Sequence, residues 1–218
     1  MKKKTQVLVI HGGMTFKNEK IFLHYILKER SVSRGDKISW SHEYLKKALG
    51  NNFEVTNPRM PLQDYAKYRH WNAYFKRYLP LLNKNFILIG NSLGAIFLAK
   101  YLSENKLKNK ALSVYLVCAP FDNTLPHEDL VGGFTLKKDL SGLEKNTENL
   151  HLLFSKDDDV VPVSHAEKYR KKLPRARIVI FKSKNGHFDI SKFPEIVRMV
   201  KKDVRRLTHK SWQRKTKE

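Results

Sequence analysis

The pentapeptide Gly90-Asn91-Ser92-Leu93-Gly94 has the pattern G-x-S-x-G, which carries chemistry only when a strand leads in and a helix leads out. Both flanks fit. Phe86-Ile87-Leu88-Ile89 reads as a buried strand, and Ala95-Ile96-Phe97-Leu98-Ala99 as an apolar helix. Between them a sharp turn would present the Ser92 hydroxyl at the sheet edge, with Gly90 and Gly94 leaving room for close neighbours. The Leu93 N–H, at the helix N-terminus, is placed to meet an oxyanion.

A serine hydroxyl attacks a carbonyl only when a base takes its proton. Four histidines follow Ser92 and precede the last helical segment: His127, His151, His165 and His187. His187, in Asn185-Gly186-His187-Phe188, follows the last predicted strand and can reach back over the sheet edge. His151 begins a strand and His165 falls in a helix, which suits packing or surface roles. His127 lies in a loop between Pro126 and Glu128. The acid that would orient the imidazole belongs at the end of the preceding strand, in Ser155-Lys156-Asp157-Asp158-Asp159-Val160-Val161-Pro162. Three adjacent carboxylates raise one another's pKa, so one is expected to point inward and the other two to form a solvated turn. A second oxyanion donor is expected from His11-Gly12-Gly13-Met14, from Gly13 in preference to Met14. G-x-G-x-x-G and G-x-x-x-x-G-K-[ST] are absent, so phosphate binding by this loop is the weaker reading.

These residues need a scaffold. Six short β-branched runs read as strands: Gln6–Ile10, Phe53–Thr56, Phe86–Ile89, Leu112–Val117, Leu150–Phe154 and Arg177–Phe181. Helical spacing occupies His42–Leu49, Asp64–Leu82, Ala95–Asn105, Ser164–Leu173 and Pro194–Leu207. The alternation predicts an α/β protein with about six mostly parallel strands and helices on both faces. Met14–Ser41, expected to hold a short helix, and Phe121–Asn149 follow strand ends and are candidate pocket walls. The segment Tyr65, Tyr68, Trp71, Tyr74, Phe75, Tyr78 is read as the core-facing side of a helix rather than a nucleic-acid platform.

At 218 residues the length suits one domain, taken as residues 1–208 with a basic, frayed tail over 209–218. With 41% hydrophobic residues a core is affordable, and no apolar run reaches the ~20 residues of a membrane span. Lys2–Lys4 resemble a secretion signal only in charge, and one cysteine, Cys118, forms no internal disulfide, so a cytoplasmic setting is expected. Cys118 is read as a small core residue. No metal site or cofactor is expected. Lys and Arg number 43 against 21 Asp and Glu, giving +22, and Arg198–Glu218 alone carries nine basic and two acidic residues. The basic residues are spread along the whole chain, which favours a general compositional bias over one binding face. Nucleic acid, anionic lipid or an acidic protein stays open as a partner, and a binding module on this scaffold is the alternative to an enzyme.

The strand ending in His11-Gly12-Gly13, the turn at Ser92, the run Asp158-Asp159-Val160-Val161-Pro162 and Gly186-His187-Phe188 together resemble the α/β-hydrolase superfamily. The short form without a lid insertion resembles the small serine hydrolases of the YdeN and retinoblastoma-binding protein 9 family, from about Gln6 to Leu207. The resemblance implies Ser92 as nucleophile, Asp158 as the acid, His187 as the base, and a small acyl-containing substrate. Ser155 stands where glycine is common and Asn91 where histidine is common.

Overall fold

The computed structural model describes residues 3–32 and 39–215, with side chains in the last helix described to Arg206. Residues 33–38 of the first pocket-wall stretch and 216–218 of the tail lie outside the described residues. Six strands form one sheet: β1 (Thr5–Ile10), β2 (Phe53–Thr56), β3 (Phe86–Asn91), β4 (Ser113–Val117), β5 (Leu150–Ser155) and β6 (Arg177–Phe181). Their order is β2-β1-β3-β4-β5-β6, and every neighbouring pair is parallel. The chain leaves β1 toward one edge and returns at β3 on its other side. This reversal opens a crevice at the carboxyl ends of β1 and β3, where sheets of this kind hold ligands.

The helices are α1 (Glu19–Lys28), α2 (Leu45–Leu49), α3 (Tyr68–Lys76), α4 (Leu93–Glu104), α5 (Ser141–Lys145), α6 (Ser164–Lys172) and α7 (Pro194–Lys215). One core lies between the sheet and α3 to α6, centred on Leu88, Phe97, Leu116 and Phe154. The other lies between the sheet's opposite face and α2 and α7, around Trp40, Ile89, Phe193 and Val200. Alternate residues of β3 feed the two cores in turn, Leu88 into the first and Ile87 and Ile89 into the second, as the two-residue period of a strand requires. Helix α7 continues to Lys215, past the point where its apolar spacing fades.

One helical expectation is corrected. Asp64–Leu82 is not continuous: a 3-10 turn at Gln63–Tyr65, α3, and a second 3-10 turn at Leu79–Leu81 divide it. The first break arises because Ala66 N–H donates to Met14 O and Tyr68 N–H to Gly132 O, tying the backbone to other loops instead of to its own preceding turn. The second falls at Pro80, which has no N–H and whose ring opposes a continuing helix. Most of the aromatic stripe faces the core: Trp71 and Phe75 are fully buried and both meet Phe97 edge to face, and Tyr68, Tyr74 and Tyr78 pack against the same core, whereas Tyr65 stacks on Phe22.

Candidate active site

Ser92 lies between the end of β3 and the start of α4 with φ 53° and ψ −119°, a conformation that a side-chain-bearing residue adopts only when its surroundings impose it. The imposition is visible. Ser92 N–H is held by Val117 O at 2.9 Å, while Ser92 O accepts from Ala95 N–H at 2.8 Å. A Cβ on Gly94 would lie 2.2 Å from Ile10 O, and one on Gly90 2.6 Å from the Ala95 Cα. The two glycines of the motif therefore let α4 start against β1 and β3, as the close approach expected from the sequence requires.

Ser92 Oγ lies 2.8 Å from His187 Nε2, and His187 Nδ1 lies 2.9 Å from both oxygens of Asp158. The three side chains thus form one hydrogen-bonded chain across the carboxyl ends of β3, β5 and β6. Asp158 is buried to 1% side-chain exposure, whereas His187 keeps 22%. Backbone N–H groups of Val160 and Val161 donate to Asp158 Oδ1 at 3.0 and 2.8 Å, so this carboxylate is fully engaged and rigidly aimed. Burial works against the imidazolium of His187. The adjacent Cys118 sulfur and the Asp158 carboxylate outweigh it, and the pKa is raised well above its ordinary value of 6.5.

Leu93 and Gly13 line the same cleft as Ser92, together with Pro120, Leu125 and Glu128. Met14 N–H is already given to Gln63 O at 2.8 Å, which leaves Gly13 as the better-placed donor of the two considered. His11 holds this loop. Its Nε2 accepts from Met60 N–H at 2.8 Å, so its Nδ1–H is the donor to Gly12 O. In a trans peptide the N–H of Gly13 points opposite to that carbonyl, away from the His11 ring.

The other histidines fall elsewhere. His165 is buried and accepts from Phe121 N–H at 2.8 Å, and His151 is buried beneath α7 on Asp203. His127 lies exposed in its loop. The remaining aspartates differ from a simple solvated turn. Asp159 is exposed, but exposed Asp157 accepts from Ser155 Oγ, Ser183 Oγ, Lys184 N–H and Gly186 N–H. These four donors hold its carboxyl well below the usual range, opposite to the effect of like charge alone. They also pin the loop that carries His187, in which Asn185, Gly186 and Phe188 all have positive φ. Cys118 is buried as expected, yet its sulfur sits 3.8 Å from His187 Nε2 and 3.3 Å from Asn91 Oδ1. Cys118, Asp158 and His187 bring metal-ligand atoms within 4.8 Å of one another, but both the histidine nitrogens and the carboxylate oxygens already have protein partners.

A second depression, lined by Lys106, Lys108, Lys110 and Lys145, lies at the C-terminal end of α4. Ser92 is at the other end of that helix, about 18 Å away at 1.5 Å per residue.

The sheet order, the strand-turn-helix at Ser92 and the loops above it define an α/β-hydrolase fold without a large lid. The chain belongs to the serine hydrolase family, which matches residues 34–201. Its structure is similar to that of the ydeN gene product of B. subtilis, with a TM-score of 0.74 and 19% identity, covering 92% of this chain and 99% of that one. It is also similar to a lipase-esterase related protein from Clostridium acetobutylicum, with a TM-score of 0.56, 14% identity and coverage of 94% and 96%. A thioesterase domain from the curacin biosynthetic pathway aligns with a TM-score of 0.57, 12% identity and 91% of each chain. At these identities the likeness speaks for the fold. No curated protein is detectably similar in sequence. Among the described residues no helix is long and apolar enough to cross a membrane.

Proposed function

We propose that this serine hydrolase cleaves a small ester, thioester or amide, with carboxylesterase-like chemistry foremost, through an acyl-enzyme on Ser92. The observation that carries the reading is the unbroken hydrogen-bonded chain from Ser92 Oγ through His187 to Asp158. His187 Nε2 takes the hydroxyl proton as Oγ bonds to the carbonyl carbon. The N–H groups of Leu93 and Gly13 receive the oxyanion, and His187 returns the proton to the leaving group as its bond breaks. Water then repeats the sequence on the acyl-enzyme and frees the acid. Asp158 keeps the imidazole in the tautomer that presents a bare Nε2, and stabilises the imidazolium without taking its proton. The test is labelling of the protein by a fluorophosphonate, with mass mapping of the modified peptide. Label on Ser92, and loss of label and esterase turnover in a folded Ser92→Ala variant, is expected. Undiminished turnover in that variant overturns the reading.

A non-catalytic role in binding a polyanion is the alternative, favoured by the four lysines around the depression at the end of α4. It predicts salt-sensitive retention on heparin that Ser92→Ala leaves intact and that charge reversal at Lys106 and Lys108 weakens. Absence of retention at low salt rules it out.

A further inference from the structure

The cleft beside Ser92 contains a carboxylate that the chemistry above does not use. Glu128 lines it together with Ser92, Gly13 and Leu93, on the loop that follows β4. Its side chain is half-buried, and among the described residues it has neither a hydrogen-bond nor an ion-pair partner. Tyr25 is near enough to feel the Glu128 charge, whereas two other neighbouring polar groups are engaged elsewhere. Asp129 pairs with Lys17 at 3.0 Å and accepts from Asn123, while Thr15 Oγ bonds Asp129 O and accepts from Val131 N–H at 3.0 Å. Burial raises the Glu128 pKa; the His187 charge lowers it and the Asp158 charge raises it.

A lone carboxylate here is costly in two ways. It loses water without gaining a donor, and it stands near the place where an oxyanion must develop. Both costs vanish when the bound substrate itself brings a positive charge to it. A substrate carrying a carboxylate in the same place would suffer the opposite effect, so the residue both selects and rejects.

Resting on the proposed function, we infer that Glu128 is a substrate-binding residue and that the preferred substrates carry a protonated amine within a few bonds of the scissile carbonyl. Leu125, Leu130 and Val161 line the same cleft, whose free volume of about 10 Å³ admits only a short link between the two groups. A charge-assisted hydrogen bond in such a cleft makes a difference of roughly 10- to 100-fold in kcat/KM.

The experiment compares matched nitrophenyl esters. One has a terminal ammonium on a short acyl chain, one a methyl of the same length, and one a carboxylate. A second pair of esters places the ammonium or the methyl in the alcohol instead. Wild-type protein is expected to prefer an ammonium ester over its methyl counterpart by at least tenfold and to turn over the carboxylate ester most slowly. Glu128→Gln is expected to bring that ratio within about threefold by slowing the ammonium ester and not the methyl ester, while a neutral fluorophosphonate still labels Ser92. A preference of the same size in Glu128→Gln and Glu128→Ala, or no preference in wild type, overturns the inference and leaves the proposed function standing. Absence of label on wild-type Ser92 overturns the proposed function, and the inference falls with it.

Discussion

Two histidines in this molecule rest on buried aspartates, and only one of them is placed to do chemistry. His187 meets Asp158 at 2.9 Å through Nδ1, and its Nε2 reaches Ser92 Oγ at the mouth of a cleft. His151 meets Asp203 at 2.7 Å through Nε2, beneath α7, with side-chain exposures of 6% for both partners. The same Asp203 oxygen takes Ser113 Oγ at 2.7 Å and Tyr115 OH at 2.6 Å, and the Tyr115 ring stacks on His151 at 4.6 Å. Serine, histidine and aspartate are thus present twice. At the amino end of β4 the serine and the histidine both point at the carboxylate, so the histidine never touches the hydroxyl. His151 Nδ1, the nitrogen left over, is buried without a hydrogen-bond partner among the described residues. Order along the hydrogen-bond chain, and access to it, separates a clamp from a site.

The comparison breaks most sharply on the two aspartates. Asp158→Asn keeps an acceptor for Val160 and Val161 but turns an amide donor toward His187, favouring the wrong tautomer. Turnover is expected to fall by about 10³- to 10⁴-fold with the fold retained. Asp203→Ala should do the reverse: it leaves a buried imidazole and two hydroxyls without their acceptor, costing about 3 kcal/mol of stability in urea unfolding. Turnover per folded molecule should be unchanged. If Asp203→Ala instead lowered kcat as Asp158→Asn does, the division between clamp and site would be wrong.

Their pH dependences have opposite sense. Burial raises the Asp203 pKa, but the donors His151, Tyr115 and Ser113 outweigh it, and the net shift is downward from 3.8. A carboxyl lowered in the fold contributes stability that is complete above its unfolded pKa and is lost as pH falls through the folded one. The stability gap between wild type and Asp203→Asn should therefore be level above about pH 4 and shrink in stronger acid. His187 is raised, so its charged form contributes stability below pH 6.5 that is lost as pH rises through its folded pKa. The proposed mechanism needs the neutral ring as base, so kcat/KM should climb with pH to a midpoint above 6.5.

Much of this contrast could be read from the amino acids, and the part that could not has a definite cause. The strands were legible because β-branched runs bounded by polar turns have few alternatives; observed β2 and β6 carry the predicted bounds. The strand-turn-helix around Ser92 is legible from its flanks, and the loop that carries His187 from its place after the last strand. Asp158 was one of three neighbours until the hydrolase resemblance separated them. Asp157 belongs by sequence to a solvated turn, and it is exposed, but it gathers four donors, three of them 26–29 residues away in the His187 loop. No local pattern encodes that pairing. The break at Ala66 was hidden for the same reason, since Met14 and Gly132 supply its partners. Pro80, by contrast, was a visible stop signal inside the predicted helix.

Asp157 gives the next, smaller test. Asp157→Ala removes the anchor of the loop whose strained residues hold His187 in place, without touching any reacting atom. A fall in kcat of about tenfold is expected, with KM little changed, and Asp157→Asn should recover part of it by keeping an acceptor. A variant that lost only thermal stability would show the anchor to be structural alone.

The smallest expected effect concerns Cys118, whose sulfur faces His187 Nε2, the nitrogen that takes the serine proton in the proposed mechanism. Sulfur at 3.8 Å is too far and too soft for a strong bond to an imidazole, yet near enough to favour its positive charge. Cys118→Ala removes that influence and leaves Asp158 in place. The midpoint of the kcat/KM profile should therefore move down in pH, while the plateau rate stays within about threefold. Asp158→Asn should also lower the midpoint, but together with the plateau. A profile unmoved in Cys118→Ala would assign the raised pKa of His187 to Asp158 alone, and make the buried pair at Asp203 the closer electrostatic parallel.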